Sequence, residues 1–533
     1  MAIPDEFRYA EIPREMLETG DWIVPHLDGL RYFEKPVLGY WLNAVAIAIF
    51  GENAFAVRLP SAVAVGLTGL LLFILVRTFS DDDSAALFAA AIYLLFSEVF
   101  AIGSVCVLDS VLSLFVSAAI VLFFLAYREE KVPQKMILLC LAGLSCGLAF
   151  LTKGFLALVI PTIVIVPFMF WQGRFKTFLR TIWVPLAVML LVAFPWSVMI
   201  YFREPDFWRY FFWVEHVDRF ISPKGGQHPY PFWFYIPVII GGAMPWTMLV
   251  VPIIKGLRSV DLKAPMIRLA LCWFGLPFLF FSASNGKLGT YILPCFPPLA
   301  ILMSQGLLKY FAGEKRKAFT VGVYILAAII VVLVILLVLQ QTVLTGSKLY
   351  EQQEAWKAVL AVIALIAWVL FLYRAGREEN YRRKLAYFTI GAAVFMFSIH
   401  FVIPVQVMQK KIPGEFLRQH QDKISQDTLL VSDNYLTPAV CWNYKRNDIY
   451  LLDKAGEFEY GLGYDDSKYR LLDIDHLREL IKENTNKRRV TLITFTKRYI
   501  EYKHLLPKPS FTDIHHGFLF AQFASSAQPF SHR

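Results

Sequence analysis

"VRLPSAVAVGLTGLLLFILVRTF" (residues 57–79) decides the fold class. Nothing between Arg58 and Arg77 carries a charge. As a helix rising about 1.5 Å per residue, the run covers the roughly 30 Å of hydrocarbon in a bilayer. Runs of the same character recur near 84–104, 108–127, 136–152, 155–171, 177–201, 231–254, 266–282, 288–311, 318–340, 356–374 and 384–408. By length they predict about twelve spans. The stretch "PVLGYWLNAVAIAIF" (36–50) is shorter and predicts an interfacial or re-entrant helix instead.

The whole composition agrees. The chain is 57% hydrophobic and only 18% charged, with a mean hydropathy of +0.51. Soluble domains sit nearer 25% charged, so a soluble globular protein is excluded. The net charge of +10 does not imply nucleic acid, because the basic residues are scattered between apolar runs. The six cysteines show no spacing that suggests a disulfide framework, zinc or haem.

Basic residues orient the spans. Lys and Arg gather in the loops at 128–135, 174–180, 255–263, 309–317 and 374–384, all of one parity, which the positive-inside rule places in the cytoplasm. Residues 1–56, the loop 202–230, the turn "SNGK" (284–287) and everything after 408 are then expected outside. A charged helix, "PDEFRYAEIPREM" (4–16), therefore has to be exported. A further transmembrane helix encoded upstream of Asp5 is expected to carry it. The expected organisation is juxtamembrane helices over 1–56, a transmembrane domain over 57–408 and a small α/β domain over 409–533. The last rests on apolar strands ("TLLVSD", "VTLITFT", "GFLFAQFA") and one amphipathic helix, "IDHLRELIKEN".

Ionisable groups beside membrane spans are costly and mark functional candidates. Six patches stand on the outer side. Asp5, Arg8 and Tyr9 share one face of the first helix, which reads either as a solvated amphipathic face or as part of a site. Tyr32, Glu34 and Lys35 precede the short helix, where Lys35 could snorkel to headgroups or hold a phosphate. Asp109 opens a span as a helix cap or an active carboxylate. Lys153 lies in an outer turn, again an anchor or a phosphate ligand. Glu215, His216, Asp218 and Arg219 predict an amphipathic helix on the headgroups, and Lys287 and Tyr291 sit at the outer mouth of a span. Metal binding is poorly supported, since His216 and His228 stand twelve apart and His515–His516 lacks an acid at ligand spacing. Together the patches suit an anionic, lipid-linked substrate held by Arg and Lys. A transporter would place such groups at the bilayer midplane, often in repeats, and no repeat is visible.

The segments "PDEFRYAEIPREMLETGDWIVPHLDGLRYFEKP", "VLDS", "LTKGFLAL", "REPDFWRYFFWVEHVDRF", "GKLGTYIL" and "EFEYGLGY" closely resemble the bacterial transferases that place 4-amino-4-deoxy-L-arabinose on lipid A. These are GT-C glycosyltransferases related to the protein O-mannosyltransferases. The resemblance runs over nearly the whole chain. It implies an all-α polytopic GT-C fold, lacking here the family's first span, with a periplasmic α/β tail in the bacterial inner membrane. It also implies transfer of aminoarabinose from undecaprenyl phosphate to a lipid A phosphate, and with it resistance to polymyxin. Asp5 and Asp109 match its essential acids and would stabilise the sugar's ammonium and the charge developing at its anomeric carbon. Arg8, Lys35 and Arg219 match positions that hold the lipid phosphate. Tyr9, Tyr32, Lys153, Lys287 and Tyr291 are expected around the donor. Gly289 departs from the family pattern, which has Pro. The expected partners are the undecaprenyl-linked donor, lipid A and membrane lipids, with no metal or cofactor and a monomeric state. Transfer of another polyprenyl-linked sugar to a protein or glycan is the competing expectation.

Overall fold

The computed structural model describes all residues except 81–82, 219–229, 314–316, 344–347, 485–486 and 524–533. It divides into two compact units, residues 1–59 with 405–533, and residues 60–404.

In the first unit the charged opening forms the helix Asp5–Thr19, closed by Gly20 in a left-handed conformation whose N–H donates to the Met16 carbonyl. A solvated face was one expectation for this helix. The structure overturns it, because every residue from Glu6 to Met16 is buried. The acids tolerate burial because each has a partner. Glu6 accepts from Arg58 at 2.7 and 2.8 Å, and Glu11 accepts from Arg14 at 2.5 and 2.9 Å. Glu15 accepts from the backbone N–H groups of Asp28 (2.6 Å) and Gly29 (3.0 Å).

Asp28 and Gly29 form a two-residue hairpin turn between the strands His26–Leu27 and Leu30–Arg31, both with positive φ. Asp-Gly is the sequence that such a turn favours. The turn is inserted into the tail. The Asp28 carboxylate meets the Arg470 guanidinium at 2.5 Å, the Ile449 N–H at 3.0 Å and the Cys441 thiol at 3.5 Å, and its carbonyl accepts from Arg470 at 2.7 Å. A Cβ on Gly29 would lie 2.8 Å from the Asn447 carbonyl oxygen, so no larger residue fits. The stretch 36–50 forms the 13-residue helix Leu38–Phe50, about 20 Å long and too short to cross hydrocarbon.

The tail sheet has the order Leu471–Leu472, Tyr450–Leu452, Leu429–Ser432, Val490–Phe495, Phe518–Phe523, Phe511–His515. The first four strands are parallel, and the last two close the sheet antiparallel. The central strand Val490–Phe495 is buried almost throughout, and the helix Ile474–Asn484 packs Leu477 and Ile481 against the sheet. Three strands (Tyr450–Leu452, Leu471–Leu472, Phe511–His515) escaped the sequence reading. Two are only two or three residues long, and the third is an exposed edge with no strong apolar alternation.

All twelve apolar runs are helical, but they do not give twelve crossings. Among the described residues, nine helices are long and apolar enough to cross a membrane, and two more count only if each bent pair is one span. These pairs are Asp83–Leu94 with Ser97–Gly103, bent by 66°, and Phe232–Gly242 with Trp246–Leu257, bent by 91°. The remaining run is the 16-residue helix Leu156–Trp171, with Pro161 and Pro167 inside it. In the second unit the two breaks are tied to each other. Ser97 donates its N–H to the Met244 carbonyl at 3.0 Å and its hydroxyl to the Gly241 and Gly242 carbonyls at 2.7 and 3.1 Å. Carbonyls freed by a break in an apolar setting need such donors.

Burial pushes the Asp28 carboxyl up to about 7, against the opposing pull of Arg470, the Ile449 amide and the Cys441 thiol. Unfolded, it returns to about 3.9. The folded state thus holds this proton more tightly, so the stabilisation is complete below about pH 4 and is lost as the pH rises towards about 7. Thermal unfolding in detergent, followed by tryptophan fluorescence, should therefore show a falling midpoint across that window. The slope should shrink in Asp28→Asn. Arg470 holds the Asp28 value down, so in Arg470→Met the carboxyl should keep its proton to higher pH and the fall in midpoint should move to higher pH.

Candidate functional site

Each unit gathers its own set of the residues expected at the site. In the first unit, Asp5 and Arg8 pair across one helical turn, and Arg8 also meets Glu457 from the tail loop after Tyr450–Leu452. The Arg8 guanidinium lies 4.9 Å from the centroid of the Tyr9 ring. Tyr9 in turn packs near Tyr40, ring centroids 6.2 Å apart, and its carbonyl accepts from Asn43 at 3.0 Å. Burial opposes the charge on Arg8, but Tyr32, Tyr9, Asp5 and Glu34 outweigh it, so the guanidinium titrates even higher than usual. It is a permanent cation. Lys35 donates to the Glu34 carbonyl at 2.7 Å and stands 3.9 Å from the Glu34 carboxylate. Tyr32 is buried and feels the charges of Arg8 and Glu34. Asp5, Arg8, Tyr9, Tyr32 and Lys35 thus belong to one structural unit, in which the Asp5 side chain is 56% exposed beside a buried Arg8.

In the second unit, Asp109 does not act as a cap. The helix Leu108–Arg128 has Val107 at its cap position with no side-chain cap bond, and Asp109 lies inside the first turn. Its carboxylate accepts from Lys153 Nζ at 2.6 Å, joining Leu108–Arg128 to the last residue of the neighbouring helix Val132–Lys153. Lys153 is only 7% exposed, so it is neither a snorkelling anchor nor a free surface cation. Its ammonium also lies 4.5 Å from the centroid of Tyr291. Tyr291 sits on the turn Gly289–Cys295, steadied by Tyr235, whose hydroxyl donates to the Leu288 carbonyl at 3.1 Å. Lys287 is buried and donates to the Tyr230 carbonyl at 3.0 Å and to the Ser284 carbonyl. It pins the loop before that turn.

The expected headgroup helix around Glu215 takes another form. Tyr210–Asp218 is a wide π-helical segment in which Glu215 is buried, and the His216 ring bonds the Phe211 carbonyl at 2.7 Å. Arg219 and His228 lie outside the described residues.

Two further carboxylates lie near these residues, Glu457 beside Arg8 and Glu98 near Asp109. Glu457 was invisible because its partner, Arg8, is over four hundred residues away. Glu98 leaves a signal, a lone acid in the apolar run "LLFSEVF" (94–100), but the hydropathy of the run predicts one continuous span.

Comparison with known proteins identifies the family. Residues 1–211 match the family model for dolichyl-phosphate-mannose-protein mannosyltransferase, and residues 408–522 match that for the arabinosyl transferase ArnT, C-terminal domain. The undecaprenyl phosphate-alpha-4-amino-4-deoxy-L-arabinose arabinosyl transferase of Shewanella sediminis is 38% identical, over 95% of this chain and 91% of its own. That of Edwardsiella ictaluri is 39% identical, over 98% and 94%. The chain belongs to the aminoarabinose arabinosyl transferase family. It is a glycosyltransferase and a multi-pass membrane protein, as the resemblance in its sequence implied. The crystal structure of ArnT from Cupriavidus metallidurans bound to undecaprenyl phosphate superposes with a TM-score of 0.82 at 21% identity, covering 99% of this chain and 95% of that one. The arabinosyl transferase is therefore of GT-C fold.

The Asp109–Lys153 pair can be tested by a double-mutant cycle. Removing one member of a buried pair typically costs about 3–5 kcal/mol. Asp109→Asn and Lys153→Met should each lower the unfolding midpoint in detergent, and the double variant should lose less than the sum. Strict additivity would show that the two do not act as a pair.

Proposed function

We propose that this arabinosyl transferase moves 4-amino-4-deoxy-L-arabinose from undecaprenyl phosphate to a phosphate of lipid A. It would do so as a monomer, at the periplasmic face of the bacterial inner membrane. The observation that carries the reading is that one family likeness runs through the residues around Asp5, those around Asp109 and the tail alike. A protein of the same fold holds undecaprenyl phosphate, which supports the lipid carrier.

In the reaction, the bond between the anomeric carbon and the undecaprenyl phosphate oxygen breaks. A lipid A phosphate oxygen forms the new bond, and undecaprenyl phosphate leaves with the electron pair. The acceptor is already ionised at neutral pH and needs no general base, unlike a hydroxyl acceptor. Catalysis is then electrostatic. Asp5 and Asp109 answer the positive charge that develops at the anomeric carbon. Lys153 fixes the position of Asp109, and Tyr291 and Lys287 shape that side of the second unit. Arg8, Lys35 and Arg219 take the negative charge of the leaving phosphate, with Tyr9 and Tyr32 setting the orientation of Arg8. Removal of net negative charge from lipid A would weaken cationic peptides such as polymyxin. No step calls for a metal or cofactor.

Mass spectrometry of lipid A from a strain lacking its own transferase is the direct test. Expression of this chain should add one aminoarabinose, and an unmodified lipid A alongside a glycosylated protein or glycan would favour the other acceptor class. Asp5→Ala and Asp109→Ala should each abolish the modification while the protein remains in the membrane, and near-normal turnover in either would remove that residue from catalysis. Neutralising Arg8 or Lys35 removes a charge-assisted bond of about 1.5–3 kcal/mol, so undecaprenyl phosphate binding in detergent should weaken roughly ten- to hundredfold.

A further inference from the structure

Glu98 occupies the first turn of Ser97–Gly103, immediately after the break from Asp83–Leu94. It is half-buried, and the second broken pair closes on it. A Cβ at Gly242, beside the other bend, would lie 2.8 Å from the Glu98 Cβ and 2.9 Å from the Phe296 ring, so only glycine lets the two bends meet. The Glu98 Oε1 lies 3.5 Å from where a Cβ of Gly289 would stand, at the start of the turn that carries Tyr291. Glu98 is thus directed at the Asp109, Lys153 and Tyr291 cluster.

Among the described residues, the charges there do not balance at Glu98. Lys153 is committed to Asp109 at 2.6 Å, and Lys287 to backbone carbonyls. Among the described residues, no hydrogen bond or ion pair engages the Glu98 carboxylate, and the charge that bears on it is the like charge of Asp109. A carboxylate kept partly out of water, beside another and without a cation of its own, is costly unless a ligand supplies the cation. Interrupted helices at membrane depth line substrate cavities for the same reason that their freed backbone groups must be met. A metal ion would need several ligands, and among the described residues no group of three His, Cys, Asp or Glu side chains is placed to hold one. An organic ammonium needs only one carboxylate and tolerates aromatic neighbours such as Tyr291 and Tyr235.

We propose that Glu98 receives the cationic amino group of the donor sugar and sets the enzyme's preference for an amino sugar over a neutral one. The inference rests on the aminoarabinose donor proposed above. Asp109, held by Lys153, is left to the anomeric centre, while Glu98 reads the substituent that distinguishes this sugar.

Purified wild type, Glu98→Gln and Glu98→Asp would be assayed with the undecaprenyl phosphate-linked aminoarabinose and with its N-acetylated, neutral analogue. Wild type should prefer the amino donor. Glu98→Gln should raise KM for it roughly ten- to hundredfold, the loss of one charge-assisted bond, with kcat little changed and the preference gone. Glu98→Asp should keep part of the preference. Binding of undecaprenyl phosphate alone, which lacks the amino group, should be equal in all three. An unchanged KM, a retained preference, a fall in kcat alone or lost undecaprenyl phosphate binding in Glu98→Gln would overturn the assignment. If wild type transfers no aminoarabinose, the proposed function itself fails; if it does and Glu98→Gln matches it, only the role of Glu98 fails.

Discussion

Asp28 can be wholly excluded from water because Arg470 meets it at 2.5 Å while a backbone amide and a thiol take up its other oxygen. The same requirement, that charge removed from water be matched where it lies, organises both units. It fixes Glu6 on Arg58 and Glu11 on Arg14 in the first, and Asp109 on Lys153 in the second. Attraction of this kind contributes little net stability, because desolvation consumes most of it. Its effect is on placement: a partner removed leaves a buried charge that the fold cannot absorb, so the pairs hold particular side chains in particular positions.

Backbone groups obey the same constraint. The breaks in Asp83–Gly103 and Phe232–Leu257 are joined through Ser97, which reaches three carbonyls of the second break with two donors. The bends carry a consequence for chemistry. A straight helix would run its side chains past the cluster, whereas a bend delivers Glu98 to the turn bearing Tyr291. The lysine on the same loop, Lys287, is spent on two carbonyls and holds the turn rather than facing a ligand.

This chain joins two kinds of likeness, a mannosyltransferase match at the start and an arabinosyl transferase match in the tail. The first unit draws on both ends of the sequence, since the Asp28–Gly29 turn sits in the tail and Glu457 reaches Arg8. The tail is thereby part of what surrounds Arg8, and its contribution is a second carboxylate on a cation that is expected to release phosphate at each turnover.

By itself, the sequence determined the membrane class, the position of every long apolar helix, the amphipathic helix Ile474–Asn484 and the strands Leu429–Ser432, Val490–Phe495 and Phe518–Phe523. Those features follow from hydrophobic periodicity and length, which are local. It also supplied the family, through short motifs spread over nearly the whole chain. Tertiary structure alone decided whether a charged residue faces water or a partner. Periodicity gives the face of a helix but not what covers that face, so the face of Asp5, Arg8 and Tyr9 stayed open between solvent and a site, and Asp109 between a cap and an active carboxylate. The bends were equally hidden, because hydropathy is blind to direction. Pairings such as Asp28 with Arg470, or Arg8 with Glu457, span more than four hundred residues. Coulomb attraction acts through space, and its partners are chosen only once the chain has folded.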